Sequence, residues 1–191
     1  MSGDARSPGR RLFFALWPDE SQRAALAHAV AKAVRGCGGR PVAAANLHVT
    51  LAFIGSVPQP RVTELAAIAR NVAAGCAQDA PLTLRLEQLA HWARPQILCV
   101  LATEASAGAH ALAAALKDVT AAAGFTPDLK PFHAHVTVAR KVLHAPGRHA
   151  LRALTWCFDA FALVDSRTAS SGPVYSVIES YPLVKAQKAR E

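Results

Sequence analysis

The sequence predicts an α+β fold made of two related lobes of mainly antiparallel sheet with helices packed outside. Strand-like and helix-like apolar patterns follow one another in the order β-α-β-α-β-β-α-β-β-β, which includes hairpin-like pairs of strands. A second observation is an internal repeat: HVTLA at residues 48–52 returns as HVTVA at residues 135–139. The repeat predicts that each lobe contributes one motif strand to a cleft between the lobes.

The first part of the chain is predicted to alternate strands and helices. The apolar segment RLFFALW reads as a strand because Pro18 ends it, and Asp19 or Ser21 can cap the helix that follows. Gly55 ends the first motif strand, and Pro60 opens the second helix. The predicted elements are a strand at residues 11–17, a helix at 20–35, the first motif strand at 46–54 and a helix at 60–74.

The second part is predicted to contain more strands than helices. Alternating apolar residues indicate a half-buried strand after the second helix, and Gly124 ends the third helix. The predicted elements are strands at residues 82–89 and 96–103, a helix at 107–123, the second motif strand at 133–140, a basic loop at 144–152 and strands at 156–165 and 173–183.

The length suits one large domain or two small lobes that share an interface, and with the repeat it predicts one bilobal domain over residues 11–185, a disordered tail at 1–10 and a C-terminal tail at 186–191. About half of the 191 residues are apolar, which is ample for a core. No apolar run reaches roughly 18 residues, the length of a membrane span, and residues 12–17 are too short for the apolar part of a signal peptide. The four cysteines are scattered without a CxxC pair. We therefore expect a cytoplasmic protein with reduced thiols.

The basic charge balance favours a polyanionic partner. Lysine and arginine total 21 against 13 acidic residues, a formal net charge of +8. Such a balance is typical of proteins that bind nucleic acid, although solvated termini account for part of it. Within the basic loop, Arg148, His149 and Arg152 are candidates to follow an RNA backbone.

The repeated motif carries the chemistry. Residues two apart on a strand share a face, so each copy presents an imidazole beside a hydroxyl: His48 with Thr50, and His135 with Thr137. Two such strands facing each other would offer two acid/base groups and two hydrogen-bond donors to one small anion, which suits a phosphoester. Zinc is the competing interpretation, because His133 and His135 form an HxH pair. No carboxylate or cysteine stands at ligand spacing nearby, however, and threonine is a poor zinc ligand.

With these motifs and their flanks, the chain resembles the 2H phosphoesterase superfamily, and within it the LigT/ThpR-like RNA 2′,3′-cyclic phosphodiesterases, also described as 2′-5′ RNA ligases. The similar stretches are RLFFALWP, GRPVAAANLHVTLAFIG, PFHAHVTVAR and YSVIESYPL, which together extend over essentially the whole chain. The resemblance implies a bilobal LigT-like fold with a cleft. It also implies hydrolysis of RNA 2′,3′-cyclic phosphate ends to 2′-phosphates, without a metal or other cofactor.

The resemblance also implies roles for individual residues. His48 is expected to be the proton donor to the leaving 3′ oxygen, and His135 the proton acceptor from water. Thr50 and Thr137 would donate hydrogen bonds to the nonbridging oxygens, and Arg140 has a counterpart in the family pattern that offsets phosphate charge. We expect RNA with a 2′,3′-cyclic phosphate end as the partner, and a monomeric protein that binds neither a metal nor a membrane.

Further candidates and alternatives are open at this point. Phe14 is a candidate to stack on a base of the RNA. Trp92 and Arg94 are candidates to border the cleft, and Trp17 is expected to alter the cleft rim. The same acid/base pair serves ligation through a 2′-5′ linkage on ends like those of tRNA halves. A noncatalytic RNA-binding module of the same fold is the other alternative. No GxxxxGK[ST] motif supports an ATP-driven ligation.

Overall fold

Nine strands form one sheet in the computed structural model, which describes residues 9–105, 107–147, 151–169 and 172–185. The sheet order is β7-β4-β5-β6-β3-β1-β8-β9, and β2 pairs with β6. The strands are β1 (Arg10–Leu16), β2 (Arg40–Pro41), β3 (Val49–Val57), β4 (Leu82–Trp92), β5 (Ile97–Ala105), β6 (His135–Arg140), β7 (Leu154–Phe158), β8 (Ala160–Ala169) and β9 (Gly172–Pro182). The helices are α1 (Glu20–Gly36), α2 (Val62–Cys76) and α3 (Ala107–Ala122).

The sheet consists of two halves that meet at the motif strands. One half contains β3, β1, β8 and β9, and the other contains β6, β5, β4 and β7. All pairings between these strands are antiparallel, and β3 pairs with β6 at Val49 and Val136, the equivalent residues of the two repeat copies. The repeat is therefore centred on the junction of the halves, and the predicted α+β, bilobal and antiparallel fold is confirmed.

The helices cover one side of the sheet and cross between its halves. Helix α1 follows β1 along the chain but contacts β6, whereas α3 follows β5 but contacts β3. Their apolar stripes, such as Leu26 and Val30 in α1 and Leu112 and Leu116 in α3, are buried in the large core. A smaller apolar cluster lies on the opposite side of β1 and β8, and this second side carries the motif side chains described below.

The capping residue of α1 is settled by its hydrogen bonds. The Asp19 carboxylate accepts from the backbone N–H of Gln22 at 2.8 Å, and the Gln22 side chain accepts from the backbone N–H of Asp19 at 3.1 Å. This reciprocal pair is a capping box, so Asp19 rather than Ser21 is the N-cap residue.

The predicted strand at residues 156–165 is wrong in one respect: it is two strands. The chain bends at Asp159, so that β7 pairs with β4 in one half and β8 pairs with β1 in the other. The motif strands also begin later than predicted, at Val49 and His135, because a 3₁₀ turn at Ala44–Asn46 precedes the first of them. Local sequence patterns do not show with which neighbouring strand of the sheet a given strand pairs.

Several predictions concern residues outside the described ranges. Most of the predicted N-terminal tail, the C-terminal tail at 186–191, and Arg148 and His149 of the basic loop lie there. Among the described residues, no helix is long and apolar enough to cross a membrane.

Candidate active site

His48 is held in place by the 3₁₀ turn before β3 and by β3 itself. Its Nδ1–H donates to the backbone carbonyl of Asn46 at 2.7 Å, so Nδ1 carries the proton of the neutral ring. Nε2 is then the acceptor, and the Thr50 hydroxyl lies 3.2 Å from it. The HxT spacing therefore places imidazole and hydroxyl side by side, as the strand periodicity predicts.

His135 repeats this arrangement in the second motif. Its Nδ1–H donates to the backbone carbonyl of His133, again two residues earlier and again at 2.7 Å. The same tautomer follows, with Nε2 left as the acceptor. The two histidines are thus oriented by equivalent backbone carbonyls on either side of the Val49–Val136 pair.

Both motifs line one small cavity at the junction of the halves. Its walls include the two histidines together with Thr50 and Thr137, and Arg140 also reaches it. The four motif side chains predicted from the repeat are therefore brought together, and Arg140 with them. The Arg140 guanidinium is close enough to lower the pKa of both imidazoles by its positive charge.

Aromatic rings surround the two histidines unequally. Trp17 stacks on His48 with ring centroids 5.4 Å apart and an angle of 18°, while Phe13 lies at 4.9 Å and Tyr175 meets the ring edge-on at 5.2 Å. His135 has Trp92 as its aromatic neighbour, at 4.7 Å. The repeat is therefore symmetric in its hydrogen bonds and asymmetric in its packing.

This packing lowers the basicity of both imidazoles. Burial is the main cause that lowers the pKa of His48 from 6.5 to about 4, opposed by the Asn46 carbonyl and reinforced by the charges of Arg140 and His135. Burial likewise lowers the pKa of His135, opposed by the His133 carbonyl. Both rings are consequently neutral at pH 7 in the unliganded protein.

The prediction that Phe14 stacks on a base is wrong. Its side chain is 0% exposed, and its ring packs edge-on against Phe161 in the large core under the helices. The neighbouring residue Phe13 faces the other way and contacts His48 and Tyr175. Strand alternation places Phe13 and Phe14 on opposite faces. It does not identify the core face, because Phe13, Ala15 and Trp17 are as apolar as Leu12, Phe14 and Leu16.

The remaining candidates are placed as follows. Trp92 and the exposed His133 line a cavity next to His135, so Trp92 does border the cleft. Arg94 and Arg152 are exposed, and neither side chain lines the cavities beside the motifs. Tyr175 was not predicted as a site residue, although it begins the stretch YSVIESYPL that resembles the family; it reaches the site from β9, far along the chain.

Metal ligands do not gather at this site. Within the described ranges, no group of three or more His, Cys, Asp or Glu side chains is positioned to hold a metal ion. The zinc interpretation of the HxH pair needs a third ligand, and the groups that share the cavity with His48 and His135 include hydroxyls and a guanidinium.

Comparison with known proteins agrees with this geometry. The sequence profile of the 2′-5′ RNA ligase superfamily matches residues 17–169, a range that contains both motifs. The chain belongs to this superfamily. Two curated relatives carry the name RNA 2′,3′-cyclic phosphodiesterase: one from Thermus thermophilus, 32% identical over 95% of this chain and 93% of that protein, and one from Escherichia coli, 32% identical over 73% and 76%.

Two solved structures share the fold of this chain. Escherichia coli LigT in its apo form superimposes with a TM-score of 0.82 at 28% identity, covering 94% of this chain and all of LigT. A Thermus thermophilus crystal structure gives a TM-score of 0.76 at 31% identity, covering 91% of this chain and 97% of that one. The LigT-like fold and the superfamily resemblance expected from the motifs are thus confirmed. LigT has also been crystallised with 3′-AMP.

Proposed function

We propose that this protein hydrolyses RNA 2′,3′-cyclic phosphate ends to 2′-phosphomonoesters by acid/base catalysis with two histidines and no metal. The observation that carries the proposal is the convergence of two imidazole–hydroxyl pairs on one cavity. The names of the relatives supply the substrate class, and the net charge of +8 suits a nucleic acid. The complex of LigT with 3′-AMP is compatible with an RNA end as ligand.

The two imidazoles divide the proton transfers. Hydrolysis requires a water deprotonated on one side of phosphorus and the leaving oxygen protonated on the other. We assign His135 as the base acting on water and His48 as the acid acting on O3′. The bond from water oxygen to phosphorus forms while the P–O3′ bond breaks, and the 2′ oxygen keeps the phosphate. Nε2 is the working atom of both rings, because each Nδ1–H is already donated to a backbone carbonyl.

The other groups of the cavity act on the charge of the phosphate. Hydroxyl hydrogens of Thr50 and Thr137 donate to the nonbridging oxygens, where negative charge grows in the transition state. The Arg140 guanidinium offsets that charge. In the unliganded protein the Thr50 hydroxyl lies against Nε2 of His48. When the phosphate binds, this hydroxyl donates to a phosphate oxygen instead.

The bound substrate itself promotes the acid role of His48. Its pKa of about 4 leaves the ring neutral at pH 7 in the empty cleft. A phosphodiester anion placed beside the ring favours the protonated form, because an opposite charge nearby raises the pKa of an imidazole. The catalytic protonation state is therefore formed together with the substrate complex.

The proposal is tested with protein treated with EDTA and an oligoribonucleotide that ends in a 2′,3′-cyclic phosphate. We expect hydrolysis at the same rate as without EDTA, and a 2′-monophosphate product identified by ³¹P NMR. A 3′-phosphate product, or a rate that is lost in EDTA and restored by zinc, would contradict the proposal.

A further inference from the structure

A basic cavity adjoins the catalytic centre between β2 and the start of β9. Its volume is about 420 Å³, and its lining includes three cations, Arg40, Arg140 and Lys141. None of the described residues that line it is acidic. In the described part of the chain, these three cations also make no ion pair with a carboxylate. The basic cavity therefore presents positive charge that no carboxylate of its lining neutralises.

Two of these cations oppose each other across a pair of strands. Arg40 and Arg140 are directly opposite residues of the antiparallel pair β2–β6, so their side chains share a face, where like charges lower the stability of the sheet. Lys141, the next residue, has a φ of 54°, in the left-handed region that lysine adopts less readily than glycine or asparagine. Repulsion and backbone strain of this kind are typical of ligand-binding sites. An anion bound between the cations would relieve the repulsion.

The walls that carry the cations are fixed by hydrogen bonds. The Asn46 side-chain amide donates to the backbone carbonyl of Pro173 at 2.9 Å, which joins the turn before His48 to the start of β9. The backbone N–H of Val42 donates to the carbonyl of Val138 at 2.9 Å and so continues the pairing of β2 with β6. The basic cavity is therefore bounded on both sides by backbone that is tied to the motif strands.

The basic cavity borders both spaces that a bound cyclic end would occupy. It shares Asn46, Arg140 and Tyr175 with the motif cavity, the small cavity lined by both motifs. A further cavity of about 410 Å³ lies on the His48 side and also contains Arg140 and Tyr175. If His48 protonates O3′, the terminal ribose lies on that side, because the leaving group departs opposite to the attacking water. The next anion along the RNA is then the phosphate on O5′ of the same ribose.

The cavity on the His135 side suits a phosphate less well. It has a volume of about 340 Å³, and its lining combines Lys117 and Lys130 with Asp128. The Asp128 carboxylate accepts from the backbone N–H of Lys130 at 3.1 Å and from its ammonium at 3.3 Å. Part of the positive charge there is thus neutralised within the protein, so the basic cavity offers the less compensated charge of the two.

We propose that the basic cavity binds the phosphate on O5′ of the terminal nucleoside, and that Arg40 and Lys141 recognise it. This inference rests on the proposed function and narrows its substrates to cyclic ends that carry a 5′-phosphate, as the last nucleotide of an RNA chain does. Guanidinium and ammonium groups donate charge-assisted hydrogen bonds to phosphate oxygens. Arg140 lines both this cavity and the motif cavity, so it lies between the two phosphates of the nucleotide.

The test compares kcat/KM for three substrates with the same base at the cyclic end. The first is a nucleoside 2′,3′-cyclic phosphate, the second carries a 5′-phosphomonoester in addition, and the third is a dinucleotide that ends in the cyclic phosphate. We expect the 5′-phosphate to raise kcat/KM about tenfold or more, as charge-assisted hydrogen bonds provide. A gain in the second and third substrates identifies an RNA end as the source of the phosphate, and a gain in the second alone identifies a mononucleotide.

The variants Arg40→Gln and Lys141→Asn test the two residues. Each should lower the ratio of kcat/KM with and without the 5′-phosphate about threefold, and the double variant should bring it close to one. Neither should lower the free energy of unfolding in urea, because Arg40→Gln removes a like-charge pair and asparagine tolerates the left-handed backbone. Arg152→Gln is the matched control: it removes the same charge from an exposed residue outside the basic cavity and should leave the ratio unchanged.

Three results would overturn this inference and leave the proposed hydrolysis standing. One is a wild-type ratio close to one. Another is a gain confined to the dinucleotide, which would place recognition in the second nucleoside rather than in the phosphate. The third is an equal loss in Arg152→Gln and Arg40→Gln, which would indicate an effect of net charge alone. Failure of the wild type to hydrolyse any of the three substrates would overturn both proposals.

Discussion

The burial of His48 predicts a loss of stability at acidic pH. Its folded-state pKa of about 4 lies below the ordinary value of 6.5, so the unfolded chain binds more protons between these two pH values. The contribution of the neutral ring to the free energy of unfolding is complete above pH 6.5. It decreases as the pH falls and is fully lost below about pH 4. The gap of about 2.5 pH units corresponds to about 3 kcal/mol.

The measurement is the free energy of unfolding in urea at several pH values from 7 to 4, for the wild type and His48→Asn. The asparagine amide can still donate toward the Asn46 carbonyl but does not titrate, and all other groups contribute equally to both proteins. We expect the wild type to lose about 3 kcal/mol more than the variant over this range. His28→Asn, at an exposed position of α1, is the matched control and should follow the wild type.

A parallel result in wild type and His48→Asn would refute this reasoning. An NMR titration gives an independent criterion, because the ring carbons of His48 report its protonation directly. A midpoint at or above pH 6.5 for this residue in the unliganded protein would show that the aromatic packing does not exclude water from the imidazole.

Four further predictions concern activity and the core. His48→Ala and His135→Ala should each lower cyclic-phosphate hydrolysis by about 10²–10⁴-fold in a ³¹P assay, with His28→Ala unaffected; near-normal turnover in either variant would contradict its assigned role. Thr50→Val keeps the shape and removes one hydrogen bond, so its kcat should fall less than that of the histidine variants. The pH profile of kcat/KM should be bell-shaped with both midpoints below 6.5, because burial lowers both pKa values; a flat profile from pH 5 to 9 would contradict two-histidine catalysis. Phe14→Ala should lower the free energy of unfolding by about 3–5 kcal/mol, measured in urea, and an unchanged value would contradict its place in the core.

The two motif strands at the centre of the sheet could be predicted from the sequence, because each copy of the repeat is a short local pattern. Five residues with a period of two specify a strand, its polar face and its relation to a second copy. The structure then pairs Val49 with Val136, the same position in each copy, as expected for strands that meet across an approximate twofold axis. The convergence of the four motif side chains follows from that pairing.

The environment of His48 could be predicted only in part. Alternation in β1 separates Phe13 from Phe14, but both faces of the strand are apolar, and only the packing shows that Phe14 joins the large core and Phe13 the smaller cluster beside His48. The position of Tyr175 beside His48 does not follow from any local pattern, because this residue reaches the site through the pairing of β9 with β8 and of β8 with β1. The bend at Asp159 has the same origin: β7 and β8 pair with strands of different halves, a choice set by distant partners.

The crossing of α1 and α3 has a consequence for how the molecule can be divided. The half that contains β6 is covered partly by α1, which follows β1 of the other half, and the half that contains β3 is covered partly by α3, which follows β5 of the other half. A fragment carrying one motif alone would expose the apolar surface that its interlocked partner shields. We therefore expect the two imidazoles to belong to a single cooperative unit, in which neither motif folds as an independent module.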